Sequence, residues 1–163
     1  PIFNLSASFH IVEEGLSHHD EEPEAKGPDG LLPESVLGQR FLASLPPAIV
    51  DKIPIRLQER AYADRPIEIR PVAPLNPINP AVRPPNRQVW FRAARALPDD
   101  LALHQYLLAY ASDFHFLATS MQPHGVSWMT PGIQSASLDH AMWFHRPFRM
   151  DRWLLYDLSL IHI

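Results

Sequence analysis

Phe3, Leu5, Ala7 and Phe9 alternate with Asn4, Ser6, Ser8 and His10, the two-residue period of a strand with one buried face. From Glu13 to Gly30 the periodicity is lost. This stretch is acidic, broken by Gly15, Pro23, Gly27, Pro28 and Gly30, and too poor in apolar side chains to fold alone, so it reads as a linker. Leu37, Phe41 and Leu45 then recur four apart, predicting an amphipathic helix that Pro46 and Pro47 end. Seven prolines lie between Pro66 and Pro85, and only Ile67 to Val72 alternates among them, so a short strand followed by an extended connection is expected. Gln88 to Ala94, with Val89, Trp90 and Phe91, is strongly strand-like.

Leu97-Pro98-Asp99-Asp100 has the composition of a helix start, because Pro is tolerated in a first turn and carboxylates favour the positive end of the helix dipole. The helix it opens is expected to run to about Leu117. Gly125 and Pro131-Gly132 punctuate a loop, Gln134 to His145 alternates again, and Trp153 to Tyr156 opens a further strand. Two strands, one long helix and two more strands make an α+β order, with the helix lying on an antiparallel sheet.

Composition narrows the class. At 163 residues, 46% apolar and 20% charged, the chain can bury a core and falls among globular rather than disordered or membrane proteins. No apolar run approaches the roughly 20 residues of a bilayer-spanning helix. With no cysteine there is no disulfide framework, thiolate nucleophile or Cys-ligated zinc, and a reducing cytoplasm is the default location. The net charge of −4 is uneven: residues 1–30 hold seven acids against Lys26, which disfavours nucleic-acid binding. Arg83, Arg87, Arg92 and Arg95 could meet an anionic ligand, although solvated surface is the plainer reading.

The long helix carries the most informative anomaly. Tyr106, Tyr110, Asp113 and Leu117 are spaced by four, three and four, which puts a carboxylate on a face with two aromatic rings and a leucine. If that face is buried, burial and the helix dipole together raise the Asp113 pKa toward a general base's range, and a buried Asp bonded to an amide or an Arg is the structural alternative. The segment Gln134 to His145 adds Ser137, Asp139, His140 and His145, but no G-x-S-x-G elbow supports a serine hydrolase, since Gly125-Val126-Ser127-Trp128-Met129 lacks its closing glycine. His18-His19-Asp20 is a possible chelating cluster without H-x-x-x-H spacing, and reads more simply as a solvated loop.

Gln88-Val89-Trp90-Phe91-Arg92, the run Leu107-Leu108-Ala109-Tyr110-Ala111-Ser112-Asp113-Phe114, then Gln122-Pro123-His124-Gly125, and Leu138 through Phe148 closely resemble the acyl-CoA thioesterase II family. The resemblance implies a double hotdog fold, each unit a curved antiparallel sheet around one long helix, here incomplete. On that reading residues 1–12 are the last strand of a first hotdog unit, 13–62 an inter-domain linker with a short helix, and 63–157 a partial second unit. Residues 158–163 read as the translation of a sequencing adapter, and the resemblance is expected to stop at Asp157.

The resemblance further implies hydrolysis of fatty acyl-CoA by a water that an Asp, a Thr or Ser hydroxyl and a Gln orient. Asp113 matches the Asp, and Ser137 matches the hydroxyl residue, keeping the hydroxyl of the usual Thr and losing its methyl. The Gln belongs to a last strand without counterpart here, so the isolated chain is expected to be inactive. Acyl-CoA is the implied substrate, with no cofactor, no metal, no nucleic-acid or membrane partner, and a homo-oligomer as the full-length form. The competing readings are a non-hydrolytic hotdog dehydratase or acyl-binding module, and an inactive fragment. A dehydratase presents a His with its acid, whereas His115, two residues after Asp113, points to a different helix face.

Overall fold

The computed structural model describes residues 3–160. Three helices come first: α1 (Glu34–Ser44), α2 (Pro47–Val50) and α3 (Ile55–Tyr62). Strands β1 (Ile67–Pro71) and β2 (Asn86–Ala93) follow, then α4 (Leu101–Ser112), α5 (Phe116–Met121) and β3 (Leu154–Ser159). The strands form one antiparallel sheet in the order β1-β2-β3, with Ile69 opposite Phe91 and Val89 opposite Tyr156.

Alternation decides which side of the sheet is core. Ile67, Ile69, Val89, Phe91, Ala93 and Leu158 point to one face and are buried there with Ala111 and Met150, while Leu97, Leu107, Leu108 and Phe114 pack against them. The opposite face carries Glu68, Arg70 and Arg92. Glu68 takes Arg70 at 2.6 Å and Arg92 at 2.8 Å, and both guanidinium groups stack on the Trp153 ring, 4.8 and 4.4 Å from its centre. Partial burial opposes ionisation of Glu68, yet the hydrogen bonds from Arg92 and Arg70 hold its carboxyl below the usual range. Arg92 is therefore occupied by a protein carboxylate. Segment 24–28 crosses the same face: the Gln88 amide donates to the Glu24 carbonyl, the Trp90 indole to that of Lys26 and Arg70 to that of Pro28.

The start of α4 is held from two directions. Asp100 caps it, accepting from the Ala102 amide at 3.0 Å. Across the fold, Asp151 accepts from the Leu97 amide and from Arg149, while the Met150 amide donates to Nδ1 of His104, a ring that is 1% exposed. That donation puts the His104 ring proton on Nε2, which is sealed without a partner, so His104 is a packing residue of the core.

Three expectations change. Residues 3–27 contain no strand, and Phe3, Leu5 and Phe9 are exposed, because an alternating segment becomes a strand only when a second one supplies its ladder. The residues after the predicted first helix contain two more helices, α2 begun by Pro47 in its first turn and α3 packed on α1 where Gly38 lets Ala61 approach. Gln134 to His145 likewise forms no strand, and residues 131–141 are all exposed. Of the expected foreign tail, Leu158 is a core residue of β3 and Ser159 ends that strand, whereas 161–163 lie outside the described residues.

Candidate active site

The helix expected to reach Leu117 stops at Ser112. Asp113 caps α4, the chain turns, and His115 adopts a left-handed backbone with φ 75°, after which α5 begins with the Thr119 amide on the His115 carbonyl at 2.9 Å. The break packs the half-buried Phe114 against the core and leaves His115 half-buried with its Nε2 enclosed.

It also settles which face of α4 is covered. His104, Leu107, Leu108 and Ala111 face the sheet, while Tyr106 is 70% and Tyr110 57% exposed. Asp113 lies on the exposed side, contrary to the expected burial. The aliphatic residues win the contact because the sheet's inner face is itself aliphatic, and the tyrosines keep their hydroxyls in water.

Four side chains meet around the end of α4. Ser112 is buried and its hydroxyl donates to the Ala109 carbonyl at 2.9 Å. Tyr156 of β3 donates its hydroxyl to the Ser112 carbonyl at 2.6 Å. Burial, reinforced by the negative charge of Asp113, pushes the Tyr156 phenol up to about 12, which keeps it a neutral donor. His140 reaches in from the unpaired segment with Nε2 at 3.1 Å from the Ser112 hydroxyl. Its ring lies edge-on to Phe116, which in turn stands edge-on to Tyr156.

Asp113 adjoins this cluster through the chain, directly after Ser112, and its charge acts on Tyr156. Ser137 is exposed and makes no hydrogen bond to Asp113 among the described residues, although His140, three residues on, joins its segment to the residue before Asp113. Tyr156 was not singled out from the sequence, and His140 was named only within a Ser/His/Asp arrangement that the missing G-x-S-x-G elbow disfavours. A signal existed for Tyr156, because a tyrosine at an inward strand position must find a partner for its hydroxyl. None of these residues lines the solvent-open cleft of about 540 Å³ between the Pro-rich connection and α5, whose walls include Pro77, Arg83, Met121, Gln122 and Trp128.

Among the described residues no group of three or more His, Asp or Glu side chains could hold a metal, and no helix is long and apolar enough to cross a membrane. His18 and Asp20 sit 3.7 Å apart, both exposed. Of the arginines considered for an anion, Arg87 is buried with an unpartnered Nε and Arg95 faces Asp64 at 3.8 Å on the surface.

His115 makes a prediction of its own. Burial holds its imidazole down to about 4, against about 6.5 in an unfolded chain. Below pH 6.5 the unfolded chain takes the proton first, so stability is full above that pH and falls as pH drops toward 4, by a total on the order of 3 kcal/mol. Urea melts of the full-length protein at pH 7 and pH 4.5 should show a drop that is smaller by most of this amount in His115→Asn, Asn being at home in a left-handed turn.

The acyl-CoA thioesterase family profile matches residues 56–161, a span that runs past Asp157, where the resemblance was expected to stop. The chain is 34% identical over 158 residues to acyl-CoA thioesterase 2 of Haemophilus influenzae, covering 97% of this chain and 52% of that protein. It is 36% identical over 160 residues to human acyl-coenzyme A thioesterase 8, covering 96% and 49%. The crystal structure of an acyl-CoA thioesterase II from Mycobacterium marinum superposes with a TM-score of 0.58 at 36% identity, over 90% of this chain and 45% of that one. The chain spans about half the length of the curated relatives it matches.

Proposed function

Because the chain belongs to the acyl-CoA thioesterase II family, we propose that the full-length protein hydrolyses acyl-CoA thioesters to free fatty acid and CoA. Asp113 acts as general base on the attacking water, Ser137 orients that water, and a Gln outside these residues completes the set. The observation that carries the reading is the placement of Asp113: it ends α4 exposed to solvent, so substrate and water can reach the carboxylate.

The chemistry asks for little more. A thioester carbonyl is electrophilic and a thiolate leaves readily, so a positioned water and a base suffice without a covalent intermediate or a cofactor. Free-thiol release from acyl-CoA substrates of graded chain length tests the activity, and absence of release at every length would sink it. Ser137→Ala should slow turnover less than loss of the base, since a hydroxyl only orients the water, and Ser137→Thr should be tolerated. Combined with Asp113→Asn, Ser137→Ala should add less than its separate effect, because groups acting on one water are non-additive.

A dehydratase needs an imidazole directed at the same substrate as the acid. His115 is half-buried with Nε2 enclosed and unpartnered, and His140 has its Nε2 on Ser112, so neither favours that reading.

A further inference from the structure

Residues 134–145 run along the surface without a ladder, yet one atom of this segment is fastened. Among the described residues, its hydrogen bonding to the rest of the fold is the 3.1 Å contact between His140 Nε2 and the Ser112 hydroxyl. The next anchor along the chain is Arg146, which bonds Ser17.

The direction of that bond follows from proton count. A serine hydroxyl has a single proton, and that of Ser112 goes to the Ala109 carbonyl at 2.9 Å. Ser112 therefore accepts, and His140 donates from Nε2. A nitrogen that carries its proton into a buried serine is not free to take one from a water on Asp113. What His140 can do is hold position.

We propose that His140 is a positioning residue that sets the separation of Ser137 from Asp113, an inference that rests on the assignment of those two residues above. Ser112 directly precedes Asp113, and Ser137 lies three residues from His140, a span of at most about 11 Å of extended chain. Ser112 is itself fixed by the Tyr156 hydroxyl on its carbonyl, and the His140 ring is steadied by Phe116. The end of α4 is thus tied, through the His140–Ser112 bond, to the segment that carries Ser137. A displacement of about 1 Å already costs on the order of 10²-fold in a positioned reaction, so loss of this tie should be read in kcat.

The test is kcat and KM for acyl-CoA hydrolysis by the full-length protein in His140→Ala, His140→Gln, Ser112→Ala and the His140→Ala/Ser112→Ala double variant, with Asp113→Asn alongside and melting checked for each. His140→Ala and Ser112→Ala should each lose about 10- to 100-fold in kcat with little change in KM. The double variant should be no worse than either single one, and His140→Gln, which keeps an N–H donor, should restore most of the loss with the shape of the pH–kcat profile intact. Turnover near wild type in His140→Ala, or equal losses in His140→Gln and His140→Ala, overturns the inference. If Asp113→Asn is inactive while His140→Ala is not impaired, only the role of His140 fails; if Asp113→Asn turns over normally, the assignment of the base fails first.

Discussion

Asp113→Asn in the full-length protein is expected to lower kcat by about 10²–10⁴ while leaving the fold intact. The size of the loss is that expected for the general base proposed above, and the preserved fold follows from where the residue sits. Asp113 is exposed, and its contribution to ending α4 is made by its backbone amide on the Ala111 carbonyl, which the substitution does not touch. A carboxylate at a helix C-terminus also opposes the dipole, so the neutral amide should raise stability by about 0.3–1 kcal/mol at low salt. A second readout comes from Tyr156, whose phenol is held high by burial and then by the Asp113 charge. Removing that charge should bring the phenol down, visible as an earlier phenolate absorbance in an alkaline titration. Near wild-type kcat at saturating acyl-CoA in a folded variant would leave the base to be sought elsewhere.

The 163-residue chain produced alone is expected to associate, to melt without a cooperative transition, and to release no thiol from acyl-CoA. Phe3, Leu5, Phe9, Tyr106, Leu138 and Trp143 are all more than two-thirds exposed, a load of apolar surface that soluble monomers rarely carry. The three-stranded sheet adds edge backbone groups that invite pairing between chains. Light scattering and thermal melting at several concentrations measure the first two effects, and a thiol-release assay the third. A monomeric, cooperatively melting and active preparation would contradict all of it.

The elements that were legible in the sequence are those decided by neighbours along the chain. Alternation was enough for β1 and β2, Pro46-Pro47 for the end of α1, and Leu97-Pro98-Asp99-Asp100 for the approximate start of α4, which opens at Leu101 with Asp100 as its cap. The misread elements are decided across space. Gln134 to His145 has the alternation of a strand but lacks a partner among the described residues, and no local pattern reports that. The break at His115 carries neither Gly nor Pro, and it is accompanied by the packing of Phe114 against the core cluster. The reason for which Asp113 was singled out, burial on an aromatic helix face, did not hold. The aromatic stripe of Tyr106 and Tyr110 looked like core, whereas the sheet selects Leu107, Leu108 and Ala111. The partner of His140 could not be found from spacing, because Ser112 lies 28 residues away.

The seam that fixes residues 24–28 across the outer face of the sheet has a consequence in polymer terms. About 15 residues separate it from the alternating segment that ends at Phe9, and even without the exposed Arg146–Ser17 bond a flexible chain of that length has a root-mean-square span of about 20–23 Å. Phe3–Phe9 is thereby confined to a small volume around this sheet, at an effective concentration in the millimolar range relative to it. At the micromolar concentrations of an ordinary preparation, such a tethered partner outcompetes a second free chain by about a thousandfold, so the seam biases association toward the intramolecular arrangement without touching the surfaces that join.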